Sequence, residues 1–123
     1  MSKLLLMVTA VVEMATGLAL LVAPAWVVEL LLGAGLTSSQ SATLGRITGA
    51  ALISIGSACG LTSGGERNQF RGLIASLLIY NLAVPILLIH AEVVEGMRGI
   101  ALWPGVALHS GLAIWCVLCL RLH

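Results

Sequence analysis

Four runs of apolar residues, each about as long as a bilayer is thick, take up most of this 123-residue chain. They fall at about Leu4–Val22, Leu44–Leu61, Phe70–His90 and Ile100–Leu120. A helix needs about 20 such residues to cross the hydrocarbon core. A segment in lipid must also satisfy its own backbone hydrogen bonds, which leaves the helix as the available form. Only 9% of the residues are charged, against about a quarter in a soluble domain whose surface must be wetted. The expected fold is therefore all-α: a polytopic four-helix bundle forming a single integral-membrane domain over residues 1–123. A net charge of +1 with no basic cluster gives no argument for nucleic acid, and none is expected as a partner.

The first run also has the look of a signal peptide, with Lys3 at its start and Ala23-Pro24-Ala25 as a small-x-small pattern. Its full spanning length and the glutamate at position 13 favour an uncleaved span instead. Ala25 to Leu36 is too short to cross. Trp26 and Glu29 suit a short helix lying at the membrane interface, ended by Gly33 or Gly35. Thr37 to Thr43 reads as a polar loop able to cap the next helix. Leu61–Gln69 and Ala91–Gly99 read as the remaining connections. An even number of spans puts both termini on one side. Lys3, Arg67, Arg71 and Arg121 fall there, with Arg46 and Arg98 opposite, which predicts cytoplasmic termini.

Within the second span, Gly45, Gly49, Gly56 and Gly60 project within roughly 60° of one another around the helix. Such a stripe admits the close approach of a neighbouring backbone, so this helix is expected to be central and tightly packed. In the third span Pro85 has no N–H for the carbonyl of Asn81, which predicts a bend. In the fourth, Trp103 and Pro104 mark the start.

Counting depth at 1.5 Å per residue places Glu13, Asn81 and His109 roughly 12–15 Å below the outer surface, with Tyr80 at a similar level. Arg46 begins nearer the surface but has the reach to join them. Glu13, Arg46, Tyr80, Asn81 and His109 are thus the candidate buried polar site, with Glu13, Arg46 and His109 expected as one connected cluster. A charge alone in hydrocarbon costs several kcal/mol, so intramembrane ionisable groups are functional candidates. They also fasten helices together, and the two readings have comparable weight for Glu13 and His109. For Tyr80 and Asn81 the fastening role carries more.

Cys116-Val-Leu-Cys119 with Cys59 invites a metal or redox reading. A fourth zinc ligand is lacking nearby, and on the predicted orientation all three thiols lie in the cytoplasmic half, so they read as small hydrophobes. His90 lies at the outer end of its span, too far in depth from His109 to share a haem iron with it.

Several features together resemble small four-span bacterial membrane proteins that are loosely DoxX-like. They are Glu13 with Gly17, Pro24, the LLLG at Leu30 to Gly33, Arg46-x-x-Gly49, Tyr80-Asn81, Trp103-Pro104 and His109. The resemblance covers nearly the whole chain and implies a bacterial inner-membrane protein, but it carries over no catalytic residue. The expected function is that of a non-enzymatic accessory or structural subunit, in contact with the lipid bilayer and with other membrane subunits or further copies of itself. No cofactor is expected on this reading. The competing expectation is a redox- or proton-linked protein binding a quinone-like or lipid molecule at the polar site, where haem or pigment is the weaker candidate.

Overall fold

The computed structural model describes residues 1–65 and 67–122, the side chains of 67–69 excepted. The described residues form five helices and no strand: α1 (Ser2–Val22), α2 (Pro24–Leu32), α3 (Ser39–Thr62), α4 (Arg67–Val93) and α5 (Leu102–Arg121). All except α2 contain a segment long and apolar enough to cross a membrane. Large apolar side chains face outward along all four, among them Val11, Leu44, Ile79, Ile86 and Ile114. This is the surface of a multi-pass membrane protein.

The helices run further than the hydropathy expectation. Most of the expected loop at Thr37–Thr43 is the first turn of α3, because the Ser38 side chain accepts a hydrogen bond from the Ser41 N–H at 3.1 Å. Likewise α4 begins at Arg67 and continues to Val93, taking residues from both expected connections. Polar residues at helix ends lower local hydropathy without breaking the helix, so the apolar core of a span understates its length. α4 also passes through Pro85 without interruption. The short helix begins where proline fits best, with Pro24 in its first turn. It stops at Gly33, whose φ of +80° is a left-handed conformation that suits glycine.

The glycine stripe of α3 packs on α1 as an antiparallel seam. A Cβ on Gly49 would lie 2.6 Å from the Gly17 carbonyl oxygen, and one on Gly17 would lie 2.6 Å from that of Gly49. Further along, Gly56 meets Met14 and Ala10, while Gly45 meets Pro24. Gly60 is looser, with Ala10 Cβ at 3.8 Å from the equivalent point. The seam thus runs nearly the length of both helices.

α4 and α5 form the second close pair. Near the end that carries the termini, all four long helices share one core: Leu5, Leu6 and Ala10 with Cys59, Phe70, Ile74, Leu77, Leu112, Cys116 and Cys119. At the far end a smaller core of Leu88, Leu102 and Val106 is completed by Leu31 and Leu32 of α2. There the Ala101 N–H donates to the Leu30 carbonyl at 2.8 Å, joining α2 to the α4–α5 connection.

Candidate functional site: a polar layer at mid-depth

Glu13 lies next to the midpoint of α1, and Tyr80 lies at the midpoint of α4. Helix geometry therefore brings residues remote in sequence to one level. The Tyr80 hydroxyl donates to Glu13 Oε2 at 3.3 Å, tying α1 to α4. Asn81, fully buried, donates from Nδ2 to the Leu77 carbonyl at 2.8 Å. Its Oδ1 then faces His109 Nδ1 at 2.7 Å, tying α4 to α5. With the amide oriented this way, Nδ1 carries the donated proton. The rings of Tyr80 and His109 meet edge to face, with centroids 5.5 Å apart and planes at 86°. Four of the five expected site residues thus form one contiguous layer.

Arg46 is not part of it. Its side chain is exposed, and among the described residues no hydrogen bond or ion pair links it to Glu13 or His109. Because α3 begins at Ser39, Arg46 sits about two turns into the helix, beside the glycine stripe instead of on it. The expected Glu13–Arg46–His109 cluster is replaced by one in which Tyr80 makes the connection.

Thr9 belongs with Glu13 and was missed as a site residue. It lies one turn before Glu13 on the same face and is fully buried. The hydroxyls of Thr43, Thr48, Ser54 and Ser76 each donate to the carbonyl four residues back. Thr9 Oγ1 makes no such bond, and Glu13 Oε1 is also without a partner among the described residues. The signal was present in the sequence, as a hydroxyl four residues from an intramembrane acid. Two orphaned oxygens in a water-poor interior are costly, and they leave the layer with hydrogen-bonding capacity that the described residues do not use.

The three cysteines are free and buried within the shared core, where they pack as hydrophobes. Among the described residues, no three His, Cys, Asp or Glu side chains are grouped so as to hold a metal ion. His90 is exposed and lies 3.8 Å from Glu95 at the end of α4, away from the layer. Compared with models of protein families, with curated proteins and with solved structures, the chain finds no match in any of the three.

Proposed function

We propose that this chain is a small, non-enzymatic, proton-linked membrane protein whose working group is Glu13. The observation that carries the proposal is the state of that carboxyl: it is 1% exposed, one oxygen is held by Tyr80, and the other is unpartnered. A carboxyl at mid-span is expensive as a lone charge, so gaining or losing a proton there changes what α1 can hold on α4. Tyr80 and His109 extend the layer from α1 to α5, which makes the two helix pairs sensitive to that proton. A DoxX-like relationship is compatible with this reading, since it too places the chain among four-span membrane proteins.

Infrared difference spectra between high and low pH test it directly. The expected result is a carboxyl C=O band that disappears in Glu13→Gln and moves to higher wavenumber in Tyr80→Phe, where the donor is lost. Identical difference spectra for wild type and Glu13→Gln would overturn the proposal.

A second reading, as an accessory subunit, draws on the outward faces of α4 and α5. Gly72 and Gly111 face open space there, and small residues are what membrane helices use to approach one another. Another subunit or a further copy of this chain would fit such faces, and co-isolation of a membrane partner under native conditions would favour this role.

A further inference from the structure

At the far end of the bundle, α2 and the α4–α5 connection border an open cleft of about 350 Å³. Trp26, Glu29, Leu30, Gly33, Arg98, Gly99 and Ile100 line it. Its volume falls within the roughly 300–1,000 Å³ that small-ligand sites occupy. The walls are fixed by backbone contacts. Gly33 and Gly99 admit the opposing main chain with no room for a side chain, and the Ala101 N–H holds the Leu30 carbonyl. Residues linking two spans must emerge where hydrocarbon gives way to headgroups, so the cleft sits at the membrane surface.

Its charges are arranged unusually. Glu29 and Arg98 both line the space, yet they form no ion pair with each other. Both side chains are exposed, so one acid and one base stand available, unpaired with each other, to anything that enters. Trp26 and Ile100 flank the space and are 60% and 83% exposed, which supplies apolar surface beside the charged pair. A free solute has no use for that flank, whereas acyl chains do.

We propose that this cleft binds the headgroup of a phospholipid bearing a primary ammonium, as in phosphatidylethanolamine. The phosphate pairs with the Arg98 guanidinium, which suits it geometrically. The ammonium donates to the Glu29 carboxylate in a charge-assisted hydrogen bond. The indole of Trp26 is placed at the headgroup level that tryptophan favours. A quaternary ammonium has no N–H to give Glu29, and an uncharged glycerol headgroup leaves the carboxylate unpaired beside a phosphate. The site is independent of Glu13, and neither reading depends on the other.

The test uses the full-length protein in vesicles of equal parts phosphatidylethanolamine, phosphatidylcholine and phosphatidylglycerol with identical acyl chains. Native mass spectrometry then reads the lipids retained after detergent release. Wild type is expected to retain phosphatidylethanolamine with roughly tenfold preference, the size that one charge-assisted hydrogen bond supplies. Glu29→Gln should remove the preference, and Arg98→Gln should lower retention of all three lipids. Glu29→Lys, a second variant at the same exposed position, should shift retention toward phosphatidylglycerol. Equal retention of the three lipids by wild type would overturn the proposal, as would an undiminished preference in both Glu29 variants. Complete displacement of the lipid by soluble phosphoethanolamine would make the ligand a free solute and overturn the lipid assignment.

Discussion

The amide of Asn81 decides more than its own fate. By giving Nδ2 to the Leu77 carbonyl it turns Oδ1 toward His109 and so places a proton on Nδ1. Hydrogen bonds between membrane helices are worth about 1 kcal/mol. A double-mutant cycle with Asn81→Leu and His109→Leu, read by reversible unfolding in detergent, is therefore expected to give a coupling of about that size. Strict additivity of the two would show that the pair contributes nothing. The level of this layer was legible in the sequence, because depth follows from counting residues along each span. Its wiring was not. Arg46 has the length to reach inward, but azimuth, not reach, governs the outcome: it projects about 100° from Gly45 and about 40° beyond the edge of the glycine stripe. Tyr80 was underrated because nothing in a linear sequence shows that a phenol on α4 will meet a carboxyl 67 residues earlier.

At the scale of elements, the seam between α1 and α3 is where small substitutions should matter most. Gly17 and Gly49 each leave no space for a methyl group, whereas Gly60 has ordinary contact distance around the same point. Overpacking a tight interface costs about 1–3 kcal/mol. Gly49→Ala and Gly17→Ala should thus lower thermal stability in detergent, and Gly60→Ala should leave it close to wild type. Equal melting temperatures for all three variants would mean that the seam is softer than its geometry. The stripe on α3 was legible from spacing alone. Its partner Gly17 was visible only as one small residue among several, since a groove does not announce what fills it. Helix ends were the least legible feature. Ser38 caps α3 early, and a cap depends on one side chain where a span depends on twenty.

For the whole molecule, four crossings place both termini and the α3–α4 connection at one end, with α2 and the α4–α5 connection at the other. Single cysteines at Ser39 and Ser63, in a background lacking the three native cysteines, should react with an impermeant thiol reagent from opposite sides of the membrane. On the positive-inside count, Ser63 should be the cytoplasmic one. Labelling of both from the same side would refute the four-span topology.

The seam between α1 and α3 also bears on how such a protein is made. All its contacts lie within the first 62 residues, so it can close while α4 and α5 are still being synthesised. What then awaits the second half is a prepared template: Glu13 offered at mid-depth, and the Leu30 carbonyl offered at the rim. Chain order thus permits the later helices to dock onto an earlier pair that has already closed.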